Sequence, residues 1–209
     1  MSTAELRELV EGASVVGLTL DQYVSMIKNG ILPEGEPIEL IDGFLVRKDR
    51  SKAGEDPMTA GFDHVWAVQN LIQVLATISQ HGCHLRVQQP VAVPPDGAPE
   101  PDGAITRRTP NDYRTRYPGA AHLPCLIEVA DSSLQYDRLT KKRIYARAGI
   151  TQYVLINLID RVVEISETPI PAHDRFDREF VSNVGEIVHF STGEGRAIDI
   201  EVARLLPAR

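Results

Sequence analysis

One glutamate stands inside an apolar run, Leu126-Ile127-Glu128-Val129-Ala130, whose length and composition suit a buried sheet strand. A carboxylate there is costly to desolvate unless a cation, a metal ion or hydrogen-bond donors compensate it. Asp102, in Pro101-Asp102, opens a second strand, and Lys141 falls on a helix downstream. Two carboxylates can hold a Mg2+ ion, which takes oxygen ligands and keeps several waters. Such an ion polarises a phosphoryl oxygen and lowers the pKa of a bound water. A neighbouring ammonium can orient that water or offset charge in the transition state. The trio therefore points to metal-dependent phosphodiester hydrolysis, with Asp102 and Glu128 as ligands and Lys141 as the water-positioning residue.

Each member also has a plainer reading. Pro-Asp pairs commonly start turns, and Pro95-Asp96 before Gly97 is read as turn chemistry alone. Glu128 could pair with a nearby arginine. Lys141 could run its stem along the helix surface and reach water. Helix geometry argues otherwise for the lysine. At ~100° per residue, Ile144, Tyr145 and Ala148 lie within about 60° of it, so it shares the apolar face. Lys142 lies ~100° further round and Arg143 is nearly opposite.

The elements that must position these residues follow from local signals. Residues 19–29 read as a helix, with Thr19 as N-cap and Gly30 beyond its end. Residues 37–41 and 44–47 read as a hairpin around Asp42-Gly43. Residues 48–61 form a polar loop containing Gly and Pro. Residues 64–79 give the clearest helix, with Asp63 as cap and a stripe of Val65, Val68, Leu71, Ile72, Leu75 and Ile78. Strands are expected over 85–93, 103–107 and 126–130, with a long Arg-, Tyr- and Pro-rich loop over 109–124. A second helix spans 137–148 and ends at Gly149. A hairpin over 152–158 and 162–166 turns at Asp160-Arg161, and strands over 184–190 and 198–206 close the chain. The expected class is α/β, with helices layered on a mixed sheet.

Bulk properties set the limits. The chain has 209 residues, 43% hydrophobic and 24% charged, which suits one ordinary globular domain over 1–209. No apolar run approaches the ~18 residues of a membrane span. The N-terminus lacks a basic region before a long apolar stretch, so a cytoplasmic chain without a signal peptide is expected. Cys83 and Cys125 are the two cysteines and read as free thiols in a reducing compartment. His81 and His84 beside Cys83 have no matching partner cluster and are not read as a metal site. The P-loop, dinucleotide, nucleophile-elbow and His-Glu-x-x-His motifs are all missing.

A net charge of -7 argues against a protein that coats nucleic acid, but its distribution is uneven. Arg107, Arg108, Arg114 and Arg116 fall in one segment; Arg138, Lys141, Lys142, Arg143 and Arg147 fall in another. A local basic surface flanking the trio suits a polyanionic substrate, with Arg107, Arg108, Arg114, Arg116 and Lys142 as its candidate contacts. Tyr113 and Tyr117 alternate with these arginines and could stack bases, although a surface loop of this composition needs no ligand.

The order Glu39-Leu40-Ile41-Asp42-Gly43, His64, Pro101-Asp102, Ile127-Glu128-Val129, Asp137-Arg138, Lys141, Tyr145, Ala148-Gly149-Ile150 and Gln152-Tyr153 resembles the Uma-two family. That group of restriction-endonuclease-like proteins lies within the PD-(D/E)XK nuclease superfamily. The resemblance covers roughly residues 18–209, leaving 1–17 as an N-terminal extension. It implies a restriction-endonuclease-like core, a mixed sheet flanked by helices with an N-terminal helix and hairpin. It also implies metal held by Asp102 and Glu128, and Mg2+ as cofactor with Mn2+ as a substitute. DNA is the implied partner, and a homodimer is compatible with the superfamily. Where the superfamily's simplest pattern has its lysine two residues after the glutamate, this chain has Ala130; the family pattern puts the lysine on the next helix, matching Lys141. Glu39, His64 and Asp137 are then candidates to line the site. Asp131-Ser132-Ser133 departs from the family's Ser-Pro-Ser-like segment, and the extra acid either joins the site or caps a turn. The resulting expectation is a Mg2+-dependent DNA endonuclease. The alternatives are a nuclease-fold protein that binds without cutting and a hydrolase of small phosphorylated substrates.

Overall fold

The computed structural model describes residues 16–33, 35–47 and 61–208. The loop expected over 48–61 lies outside these residues except for Gly61, as does most of the N-terminal extension.

Helix α1 (Leu20–Lys28) begins with a reciprocal capping box, Thr19 accepting from the Gln22 amide and Gln22 reaching back to the Thr19 amide. A hairpin follows, β1 (Ile38–Ile41) and β2 (Phe44–Arg47). Its Asp42-Gly43 turn has both residues at positive φ, 52° and 82°, as a two-residue hairpin of this twist requires. Asp96 does more than make a turn. Its carboxylate accepts from the Leu20 amide at 3.1 Å and its carbonyl from Gly43 at 2.7 Å, joining α1 to the hairpin.

Helix α2 (Phe62–Val74) starts earlier than the cap signal suggests: Gly61 is the N-cap and Asp63 lies within the first turn. Its buried stripe is His64, Ala67, Val68, Leu71 and Val74, whereas Val65 and Ile72 face outward. The inward stripe is set by spacing rather than by apolar type. The expected strand over 85–93 is shorter, β3 (Cys83–Val87), because Gln88 adopts φ 49° and turns the chain out of the ladder. Strands β4 (Gly103–Arg107), β5 (Cys125–Ala130), β6 (Gln152–Asn157), β7 (Val162–Ile170) and β8 (Arg175–Asn183) complete a six-stranded sheet in the order β3-β4-β5-β6-β7-β8. Among the described strands of this sheet, only β5 and β6 pair in parallel. A parallel pair needs a crossover, and helix α3 supplies it. This helix runs through Leu134–Tyr136, a π-helical turn Asp137–Lys141, and Lys142–Arg147. A second hairpin, β9 (Ile187–Gly193) and β10 (Arg196–Glu201), forms a separate ladder.

Every residue of β5 and β6 is buried, because both sheet faces are covered. On one face Ile127, Val129, Val154 and Ile156 pack with Val68 and Leu71 of α2 and with Val188 and Phe190 of β9. On the other, Leu126, Ala130, Tyr153 and Leu155 pack with Ile144 and Tyr145 of α3 and with Ile41 of the hairpin. Cys83 and Cys125 are free and buried. Among the described residues, no helix is long and apolar enough to cross a membrane.

Candidate functional site

Antiparallel pairing sets Gly103 opposite Ile127. Continuing that register by one residue places Asp102, just before β4, opposite Glu128 where the β4–β5 ladder ends. The backbone locks the pair: the Asp102 amide donates to Glu128 Oε2 at 3.3 Å, and the Val129 amide donates to Asp102 Oδ2 at 2.9 Å. Gly103 beside Asp102 permits a tight fit: a Cβ there would stand 2.9 Å from Leu71 Cδ2 and 3.3 Å from Ile127 Cβ. The close approach of α2 brings His64 onto Asp102, with Nε2 3.2 Å from Oδ2. Gln88 donates to Asp102 Oδ1 at 3.2 Å.

Lys141 is 2% exposed, and its ammonium lies 2.8 Å from Glu39 Oε1 and 3.1 Å from Glu128 Oε1. Tyr145, one turn on, donates to the same Glu128 oxygen at 2.8 Å. Glu39 comes from β1 and is fully buried; the Glu100 amide donates to its Oε1 at 2.6 Å. The hairpin carrying Glu39 is tied to α3 by Arg143, 3.0 Å from Asp42, and by Arg147, which also pairs with Asp42. The start of β4 and helix α3 thus reach Glu128 directly, while β1 and α2 reach its partners Lys141 and Asp102.

Burial opposes the charge on Lys141, but Glu128 and Glu39 outweigh it and hold the ammonium well above the usual lysine pKa. Asp137, one helical turn before Lys141 and 5% exposed, is pushed up to about 6 chiefly by burial; its bond from the Ser133 hydroxyl, 2.6 Å long, and the charge of Lys141 pull the other way. Glu39, Glu128 and Asp137 thus gather near Lys141, with Asp102 beside Glu128. Among the described residues, no three histidine, cysteine, aspartate or glutamate side chains converge into a closed metal cage. The donor chemistry still suits Mg2+, which is commonly held by one or two carboxylates with water and substrate phosphate completing its shell.

Asp102, Glu128, Lys141, Glu39, His64 and Asp137 are therefore brought together. Asp131 is exposed, and its carbonyl accepts from the Leu134 amide at 3.3 Å at the start of α3. The basic segments are not brought together. Arg107 lies at the far end of β4, five residues or roughly 17 Å from Asp102 at strand spacing, and it pairs with Glu194. Arg108 follows it, and the loop bearing Arg114 and Arg116 continues from that end. The second segment is largely neutralised: Arg138 by Glu164 and Asp160, Lys142 by Glu179 at 2.8 Å, Arg143 and Arg147 by Asp42. Tyr113 is buried with its hydroxyl on the Arg107 carbonyl at 2.9 Å, and Tyr117 packs against the cluster of Tyr23, Leu40 and Ala98. These contacts hold the Tyr113 ring inside the protein and one face of Tyr117 against it. Tyr145 and Gln88 were not foreseen as polar partners. Tyr145 reads as part of the apolar face, and its i+4 spacing from Lys141 is the one signal that could have marked its hydroxyl.

The model of a family described as "Uma2: Putative restriction endonuclease" matches residues 20–181. The chain is also similar to a crystal structure described as "a putative nuclease belonging to DUF820" from Anabaena variabilis. That likeness has a TM-score of 0.65 at 18% identity and covers 90% of this chain and 97% of the other. At that identity it speaks to the fold. Curated proteins gave no match.

Proposed function

This chain belongs to the Uma2 family, and on that premise we propose that it is a divalent-metal-dependent phosphodiesterase that cuts DNA internally. The observation that carries the reading is the opposed pair Asp102 and Glu128 where the β4–β5 ladder ends, with the buried Lys141 ammonium 3.1 Å from Glu128. Asp102 and Glu128 would hold Mg2+, with Mn2+ as a substitute. When bound, such an ion supplies Lewis acidity and favours ionisation of a water.

The protein's own groups prepare the rest. His64 and the Val129 amide orient Asp102. Tyr145 and Lys141 orient Glu128. An ammonium has three donors. Lys141 directs two to Glu39 and Glu128, and the third would orient an attacking water or steady charge on the phosphoryl group. Pre-set donors of this kind need no reorganisation as the reaction proceeds.

Cleavage of supercoiled plasmid, linear duplex and single-stranded DNA with Mg2+ or Mn2+ tests the reading, beside Glu128→Ala and Lys141→Ala. The wild type should cut and both variants should lose activity. Equal cleavage by all three would sink the assignment. A second reading, binding without cleavage, draws on one observation: Lys141 is closed into contacts with Glu39 and Glu128 at 2% exposure. Duplex binding with no cleavage under any divalent ion would favour it.

A further inference from the structure

The π-helical turn in α3 changes which side chains face the acids. Tyr136 and Lys141 are five residues apart, so an unbroken α-helix would point them about 140° apart. The wider i→i+5 closure over Asp137–Lys141 brings them toward one face. Such turns inside helices are frequently found at functional sites.

The Tyr136 hydroxyl is buried and has no hydrogen-bond partner among the described residues. Burying a hydroxyl without a partner is costly, and other tyrosines of this chain avoid that cost. Tyr145 donates to Glu128 at 2.8 Å, Tyr153 to the Asp137 carbonyl at 3.2 Å, Tyr23 to the Ile38 carbonyl at 2.9 Å and Tyr113 to the Arg107 carbonyl at 2.9 Å. The Tyr136 phenol instead lies within electrostatic reach of Glu39, Lys141, Asp137 and Glu128. Burial, then Glu39, raises its pKa above that of an ordinary phenol, so it remains a donor at any working pH. A neutral donor among carboxylates can face an incoming phosphodiester without adding to the negative charge there.

We infer that Tyr136 contacts the substrate, its hydroxyl donating a hydrogen bond to a phosphoryl oxygen of the phosphodiester held beside Asp102 and Glu128. The inference rests on the phosphodiesterase reading above and adds a recognition group to it. The partner missing within the protein is then the substrate itself.

Tyr136→Phe in the full chain tests this through three readouts. Thermal melting should be unchanged or slightly raised, because the hydroxyl removed has no partner. Tyr145→Phe, which breaks a buried bond to a carboxylate, should melt lower. Binding of a short fluorescein-labelled duplex in Ca2+, followed by anisotropy, should weaken about 10- to 100-fold for Tyr136→Phe. The Mg2+-dependent rate on supercoiled plasmid should fall by a similar factor. A Tyr136→Phe protein that binds and cuts like wild type overturns the inference while leaving the phosphodiesterase reading intact. So does one that melts as low as Tyr145→Phe, since that reveals a structural bond. A wild type that neither binds nor cuts DNA overturns both.

Discussion

Replacing Lys141 by methionine keeps the length and most of the volume of the side chain and removes its charge. In the structure that charge is 2% exposed and makes two hydrogen bonds to carboxylates, 2.8 and 3.1 Å long. Removing one partner from a buried ion pair costs about 3–5 kcal/mol, because the remaining charge is stranded. Here two acids, Glu39 and Glu128, each lose an ion-pair partner, so a loss within that range is expected. For a chain of this size each kcal/mol moves the melting temperature by about 2–4 °C, which gives a fall of about 6–20 °C. The sign with pH follows from linkage. The Lys141 pKa is raised in the fold, so its contribution is present below the ordinary lysine pKa and is lost only as pH rises through the folded value. In Lys141→Met, loss of the ammonium favours the protonated form of the two carboxyls, so the gap to wild type should narrow as pH falls from about 7 to about 5. Adding Glu39→Gln should restore part of the loss, since one of the two charges is gone. Differential scanning calorimetry across that range measures all three effects. A variant melting within about 2 °C of wild type at neutral pH, or a gap independent of pH, would refute the buried ion-pair account.

Two further outcomes are expected. The raised pKa of Asp137, about 6, means the fold favours its protonated form more than the unfolded chain does. Its contribution is complete below about pH 4 and is lost as pH rises through about 6. Asp137→Asn should therefore gain stability relative to wild type by up to about 3 kcal/mol between pH 4 and pH 7, and a flat difference in denaturant titrations at those pH values would contradict it. Asp42→Asn keeps a residue that tolerates the positive φ of the turn but discharges the partner of Arg143 and Arg147. Those arginines are partly exposed, so the loss should be about 1 kcal/mol at low salt and shrink in high salt; a loss unaffected by salt would show that the pairs do not anchor the hairpin.

How far the sequence reading reached depends on what kind of signal each residue carried. Glu128 and Lys141 were legible because each is a charged residue on a face that periodicity marks as buried. Asp102 was separable from Asp96 because a strand, and not a glycine turn, follows it. Glu39 was harder: its burial depends on the hairpin being clamped to α3 through Asp42, a long-range contact that no local pattern encodes. Tyr136 was invisible, since its orientation follows from a π-turn that breaks the 3.6-residue period on which face arguments rest. Strand β8 escaped notice for a related reason. Buried positions occur only at Phe176 and Ser182, so an edge strand with a mostly exposed surface lacks the alternation that announces a strand. On α2, Val65 and Ile72 look like core and are exposed, while His64 looks polar and is buried. The basic loop misled because charge was read along the chain, whereas β4 carries Arg107 away from the acids.

The central claim is that Asp102 and Glu128 hold a divalent ion for phosphodiester hydrolysis. Isothermal titration of the full chain with Mn2+ tests it most directly, beside Asp102→Asn and Glu128→Gln variants whose folding is checked by melting. The account predicts saturable binding to the wild type in the micromolar to millimolar range, lost in both variants. Absence of binding to a folded wild type, or binding that survives both substitutions, would contradict it.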